Sequence, residues 1–142
     1  MSRVFLIPLV VVLFHLVCAT SSEIADQKKT SFGTMVHIIS GVPDNPTNLR
    51  VNCTFDGTDF QKRTLNDGQE FSWGYSDKFF DDYEFLCKFN WGTKTSRFPV
   101  LSMRMAPILC AHYPCDCYWV ARADGFYFSN DKKSWKKMYE WF

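Results

Sequence analysis

The chain has 142 residues, of which 46% are hydrophobic and 18% aromatic, and it carries sixteen basic and fifteen acidic residues. This near-balance of charge argues against nucleic acid as the main partner, because binding to phosphates needs an excess of positive charge. The length suits one domain rather than two, and the aromatic content supplies apolar surface for a substantial core.

The N-terminus has the features of a secretory signal peptide. Arg3 gives it a positive start, an apolar stretch runs from Val4 to Val17, and the small residue Ala19 fits a cleavage site. An uncleaved membrane anchor is the alternative, but the apolar run is short and no second hydrophobic segment follows. We predict a signal peptide over 1–19, a flexible tail over 20–33 and a secreted, extracellular domain over 34–142 that does not insert into a membrane.

Short segments with alternating side chains begin after the polar tail. Met35, His37 and Ile39 share one face of a first predicted strand, which ends in a turn over residues 41–46. Residues 60–65 give no clear pattern. The second predicted strand has one polar face and one apolar face, as in a half-solvated antiparallel sheet. Its apolar face consists of Leu49, Val51, Cys53 and Phe55.

Aromatic residues dominate the alternation in the middle of the chain. A helix would scatter them around its circumference, so strands are favoured. Residues 100–105 are also predicted as a strand, and residues 106–116 as a loop. The two aromatic faces consist of Phe71, Trp73 and Tyr75, and then of Tyr83, Phe85, Cys87, Phe89 and Trp91.

The last third of the chain predicts a β-hairpin and a final strand. Alternating segments flank Asp124-Gly125, a pair that tolerates the positive φ angles of tight hairpin turns, and the final strand lies near residues 135–141. The total of seven or eight short strands, with no long helix, indicates an antiparallel sandwich or barrel. The predicted fold class is all-β, a small disulfide-stabilised antiparallel β-sandwich.

Five cysteines follow the predicted signal peptide. In an oxidising compartment they predict two disulfides and one odd thiol, which is either free or bridges two chains as a covalent homodimer. A zinc site that adds His112 to the last three cysteines is the alternative, but disulfides are favoured outside the cell. No metal or cofactor is therefore predicted. The disulfide candidates are Cys53, Cys87, Cys110, Cys115 and Cys117.

The sequence offers one glycosylation candidate and a weak case for catalysis. Asn52 begins the sequon Asn52-Cys53-Thr54 and lies on the polar face of its strand, although a disulfide at Cys53 would hinder glycosylation.

His37 and His112 are the only histidines after the signal peptide, and no phosphate-binding loop or nucleophile elbow is present. We predict that the protein is not an enzyme.

A lysine cluster lies near the C-terminus, at Lys132, Lys133, Lys136 and Lys137. It could contact an acidic receptor loop, a pectin-like polysaccharide or an anionic membrane surface. A solvated hairpin connection is the favoured interpretation, because lysine on an edge strand discourages the addition of foreign strands.

Six segments in order resemble the plant self-incompatibility S1 family, also known as S-protein homologues. The resemblance covers residues 35–142. The matching segments are Val36–Ile39, Leu49–Cys53, Leu65–Trp73, Phe85–Trp91, Cys117–Tyr127 and Tyr139–Trp141. The family has four common cysteines, for which Cys53, Cys87 and Cys117 match, whereas Cys110 and Cys115 compete for the fourth position. The pairing adopted as a hypothesis joins Cys53 to Cys117 and Cys87 to Cys110.

The resemblance implies a secreted signalling ligand that binds a membrane protein on the cell surface without catalysis; characterised members trigger rejection of self pollen. Alternatives are a secreted carbohydrate-binding or defence module and a small secreted hydrolase. Loops over 56–63, 76–82, 92–97 and 130–133 are predicted to contact the receptor, since loops carry specificity on a rigid sandwich. The predicted contact residues are Asp56, Asp59, Lys62, Arg63, Asp77, Lys78, Lys94, Lys132 and Lys133.

Overall fold

The computed structural model describes residues 33–76, 82–110 and 114–142, and Gly33–Phe142 form one compact unit. The predicted signal peptide and nearly all of the predicted tail lie outside the described residues. So do Asp77, Lys78 and His112.

Nine strands and one short helix make up the described part of the chain. In chain order they are β1 (Thr34–Gly41), β2 (Leu49–Phe55), β3 (Thr58–Leu65), β4 (Glu70–Tyr75), β5 (Glu84–Trp91), β6 (Lys94–Ser102), α1 (Ala106–Leu109), β7 (Cys115–Arg122), β8 (Gly125–Ser129) and β9 (Lys136–Tyr139).

The strands form two sheets, which confirms the predicted β-sandwich. The five-stranded sheet has the order β4-β1-β7-β8-β9, and the four-stranded sheet has the order β3-β2-β5-β6. All neighbours are antiparallel except β1 and β7, which run parallel with Val36 opposite Cys117. The β1–β7 pair is an exception to the predicted antiparallel pairing, because alternation reveals the faces of a strand but not its direction.

The predicted faces of the strands are confirmed. Val36 and Ile38 of β1 are fully buried between the sheets, while Met35, His37 and Ile39 share the outer face. Aromatic rings fill the core around Phe98, which is 2% exposed. Their centroids lie 4.1–5.2 Å from that of Phe98, and they belong to Tyr139, Phe126, Phe89 and Trp119.

Three segments differ from the sequence prediction. Residues 60–65 belong to β3, an edge strand whose side chains are almost all exposed and therefore show no apolar alternation. The predicted strand over 100–105 instead lies at the end of β6, which stops at Ser102. The predicted loop over 106–116 contains α1 and the start of β7. The helix is compatible with Pro107, because proline is well tolerated in the first turn of a helix.

Candidate partner-binding site

Described residues from three of the four predicted contact loops lie at the same end of the sandwich. Asp56 follows β2 there, and its backbone nitrogen donates to the carbonyl of Glu84 at the start of β5 (3.0 Å). Tyr75 at the end of β4 packs on Tyr83, with ring centroids 4.4 Å apart, and Asn130 follows β8 at this end. We term this the loop end, formed in the described chain by residues 56–57, 76, 82–83, 103–105 and 130–135.

A charged depression of about 410 Å³ lies at the loop end. The Asp56 carboxylate is held in place because its Oδ1 accepts a hydrogen bond from the Glu84 backbone nitrogen (2.9 Å). Three carboxylates and one guanidinium surround the depression, so it presents charges of both signs and suits a partner with a complementary pattern. The lining residues are Asp56, Asp82, Tyr83, Glu84, Ser102 and Arg104.

The β8–β9 loop, which lies at the same end of the sandwich, is ordered by Asp131. Its Oδ1 accepts hydrogen bonds from the backbone nitrogens of Ser134 (2.8 Å) and Lys133 (2.9 Å) and from the Ser129 hydroxyl (2.8 Å). These bonds, led by the one from Ser134, lower the pKa of Asp131 to about 2. A lowered carboxyl pKa stabilises the fold above the ordinary value of 3.8, and this contribution is lost as the pH falls toward about 2.

Lys132, in the same loop, pairs with groups on the outer face of the five-stranded sheet. Its Nζ lies 3.1 Å from Glu70 Oε1 on β4. His37 on β1 lies between two carboxylates, with Nε2 3.0 Å from Asp116 Oδ1 and Nδ1 4.0 Å from Glu70 Oε2. The His37 ring also stacks on Tyr118, with centroids 4.3 Å apart. The β8–β9 loop is thus held against the outer face of the five-stranded sheet.

The remaining predicted contact residues do not share the loop end. Asp59, Lys62 and Arg63 lie on β3, so the predicted loop over 56–63 is a two-residue turn followed by an edge strand. Lys94 begins β6 at the opposite end, where its Nζ donates to the Ala123 carbonyl (3.3 Å), and most of the predicted loop over 92–97 is strand. Of the predicted contact residues that the structure describes, only Asp56, Lys132 and Lys133 therefore lie at the loop end.

The predicted disulfide pairing is wrong. Cys53 bonds to Cys87, its direct neighbour across β2 and β5, and Cys110 bonds to Cys115. Cys53 and Cys117 belong to different sheets, whereas Cys110 follows α1 close to the start of β7. All five candidate residues can be read from the sequence, but the neighbouring strands that decide their pairing cannot.

Cys117 is the free thiol, and it lies against the second disulfide. Its Sγ is 2.9 Å from Cys110 Sγ, and the sulfurs of Cys110, Cys115 and Cys117 all lie within 4.8 Å of one another. Burial, with a smaller effect of the Asp116 charge, raises the pKa of Cys117 to about 12. A zinc site here would need the disulfide to be reduced, because metals bind thiolates. A bridge from Cys117 to a second chain would need the domain to open.

We expect Cys117 to resist alkylation in the native protein at neutral pH, because it is buried and un-ionised. Unfolding the mature chain, which lacks the predicted signal peptide, without reductant should then expose one reactive thiol. Intact mass measurement after iodoacetamide treatment would detect this thiol. The Cys117→Ala variant is the control and should take up no label in either state. Rapid labelling of the native protein would contradict the burial of this thiol.

Comparison with known proteins identifies the family. A family model described as plant self-incompatibility protein S1 matches residues 35–141. The chain belongs to this family. A comparison with curated proteins gave no match. Across the described ranges, no helix has the length and apolar character that a membrane crossing requires.

A solved structure of plant proteins resembles this S1-family protein in fold. It is described as "Structure of SPH (Self-Incompatibility Protein Homologue) proteins, a widespread family of small, highly stable, secreted proteins from plants". The two chains are 17% identical, with a TM-score of 0.58 over 78% of this chain and 95% of the other. The family resemblance predicted from the six ordered segments is confirmed.

Sequence reasoning missed the polar groups that hold the β8–β9 loop of this S1-family protein. Asp116 lies between two cysteines and Glu70 begins a strand, so neither belongs to a motif. Their relation to His37 depends on β1 lying between β4 and β7. The Asp131 turn had a local signal, because aspartate followed two or three residues later by free backbone nitrogens often accepts their hydrogen bonds.

Proposed function

We propose that this S1-family protein is a secreted recognition protein that binds a cell-surface membrane protein through its loop end, without catalysis. The observation that carries the proposal is the ordered β8–β9 loop at the same end of the sandwich as a charged depression. Secretion is supported by the predicted signal peptide over 1–19 and agrees with the description of the structurally similar plant proteins.

The physical basis is a binding surface that is ordered before the partner arrives. The Asp131 hydrogen bonds and the Lys132–Glu70 pair hold the loop, which lowers the conformational entropy lost on binding. Lys133 is exposed, and no carboxylate in the described ranges lies within ion-pair distance of it. Charges of both signs on one surface favour a partner with a complementary pattern.

The surroundings of His37 support a role without catalysis. A general base for acyl transfer would need a nucleophile against one ring nitrogen and an orienting group on the other. Both nitrogens of His37 face carboxylates, at 3.0 Å from Asp116 and 4.0 Å from Glu70. We therefore infer that His37 serves to hold β1, β4 and β7 together.

The test measures binding of the oxidised mature protein to protoplasts, which lack a cell wall. We expect saturable binding that disappears after protease treatment of the cells. The loop-end variant Arg104→Glu with Lys133→Glu should raise the Kd by about tenfold or more, because each change reverses a charge at the proposed contact surface.

The matched control is Lys62→Glu with Lys88→Glu. It changes the net charge by the same amount, but on the outer face of the four-stranded sheet and away from the loop end. It should bind protoplasts with a Kd within about twofold of the unmodified protein. Equal loss in both variants would contradict a specific loop-end contact. Binding that survives protease treatment would contradict a protein receptor.

A further inference from the structure

The outer face of the four-stranded sheet carries a group of exposed cations that the proposed receptor site does not use. Lys62, Lys88 and Arg97 come from β3, β5 and β6, and Arg50 comes from β2. All four side chains are exposed. We term this surface the basic face.

The register of the strands brings these cations into one row. Lys62 lies opposite Asn52, Asn52 opposite Lys88, and Lys88 opposite Arg97. Neighbouring strands are about 4.8 Å apart, so the row spans roughly 14 Å across the sheet. Arg50 lies on the same face, two residues along β2 from Asn52. Each of the four charges therefore has at least one other within roughly the 8 Å over which screening acts at physiological ionic strength.

The cations of the basic face have no ion-pair partner in the part of the chain that the structure describes. Among the described residues, no carboxylate lies within 4.0 Å of Arg50, Lys62, Lys88 or Arg97. Asp59 lies at one margin of the face, near Lys62. Because the formal net charge of the whole chain is only +1, the attraction to an anion is local to this face.

The groups between the cations are neutral hydrogen-bonding side chains. Asn52 lies within the row of cations. In the next row along the strands, Thr64 lies opposite Arg50, Arg50 opposite Asn90, and Asn90 opposite Thr95. Amides and hydroxyls can donate to and accept from sugar hydroxyls. These two rows contain no aromatic side chain, whereas single-stranded nucleic acids and protein hot spots are commonly bound through aromatic rings.

The geometry points to a binding surface for a carboxylated polysaccharide, a chain of acidic sugars lying across the basic face. Arg50 and Arg97 can each pair with a carboxylate through two parallel hydrogen bonds, while the two lysines supply point charges. The amides and hydroxyls between them would contact the sugar hydroxyls. The face is extended and polar, which suits a chain more than a compact ligand enclosed in a pocket.

Asn52, the sequon residue, lies in the middle of the row and is exposed. An attached glycan would cover the basic face, so the test uses the Asn52→Gln variant, which keeps the amide and cannot be glycosylated. Far-ultraviolet circular dichroism and thiol counting establish that each variant retains the fold and both disulfides.

The experiment measures binding of the Asn52→Gln protein to polygalacturonate, with fully methyl-esterified polygalacturonate as the uncharged probe. We expect binding to the acidic form that salt weakens, and at least tenfold weaker binding to the ester. Adding Lys62→Glu and Lys88→Glu should weaken binding to the acidic form at least tenfold. Adding the loop-end pair Arg104→Glu and Lys133→Glu, an equal change of net charge, should alter it less than twofold.

Four results would overturn the inference: absence of binding to the acidic form, equal binding to the ester, equal loss in the two charge-reversal variants, or tighter binding to duplex DNA or phosphatidylserine vesicles than to polygalacturonate. Heparin, a sulfated chain, distinguishes the kind of anion. Tighter binding to heparin at equal charge concentration would also overturn the assignment to carboxylates. The proposed receptor contact can fail on protoplasts without affecting any of these results.

Discussion

Replacing Trp119 by alanine is expected to lower the free energy of unfolding by about 3–5 kcal/mol, as for other large aromatic side chains removed from a core. Trp119 is 1% exposed, and its ring lies 5.2 Å from that of Phe98 and 5.0 Å from that of Phe128. Its indole nitrogen donates to the Val100 carbonyl (3.0 Å), which joins β7 of one sheet to β6 of the other. Urea unfolding followed by far-ultraviolet circular dichroism would measure the loss.

Trp135→Ala is the matched control for this prediction. Trp135 lies outside the core, where its ring is 5.5 Å from the Arg122 guanidinium, so the expected loss is about 1 kcal/mol or less. Trp119→Phe separates the two contributions, because it keeps an aromatic ring but leaves the buried Val100 carbonyl without its donor. A loss in Trp119→Ala no larger than in Trp135→Ala would show that the two sheets do not depend on this side chain.

The strands that were predicted well are those with one face in water. In β2 and β5, buried apolar residues alternate with Arg50, Asn52, Lys88 and Asn90, so the period of two is visible in the sequence. The edge strand β3 was missed because both of its faces are largely exposed, and Lys62 and Arg63 give no contrast along the strand.

Relations between strands could not be predicted in the same way. The parallel pairing of β1 with β7 joins residues about eighty positions apart, and local sequence contains no signal for such a contact. The disulfide error has the same origin, since Cys53 and Cys87 become partners only when β2 and β5 are neighbours. His37 was recognised as a strand residue, but its carboxylate neighbours come from two other strands.

The basic face forms because the register of the strands brings cations from four strands onto one surface. The alternation in β2 and β5 already predicted that Arg50 and Lys88 would point away from the core. The sequence predicts Lys62 in one contact loop and Arg97 at the end of another. The two residues join the same surface because β3 and β6 are the outer strands of this sheet. Receptor binding at the loop end and polysaccharide binding on this face would therefore use separate surfaces.

Removing the first disulfide with Cys53→Ala and Cys87→Ala should lower the free energy of unfolding by about 3–4 kcal/mol, since it releases a loop closed over 34 residues. The second disulfide closes a separation of only 5 residues, for which the same relation gives about 2 kcal/mol. In the control Cys115→Ala, we expect Cys110 to pair with Cys117, whose sulfur is 2.9 Å away, so the loss should be smaller still.

Non-reducing peptide mapping and urea unfolding of both variants test this difference. The Cys115→Ala protein should contain two disulfides and no thiol, while the double variant should contain one disulfide and one thiol. The entropy of the unfolded chain explains the order of stabilities, because a bond between distant residues restricts far more conformations than one within a short loop. A Cys115→Ala protein that is less stable than the double variant would contradict this explanation and the assigned pairing of Cys53 with Cys87.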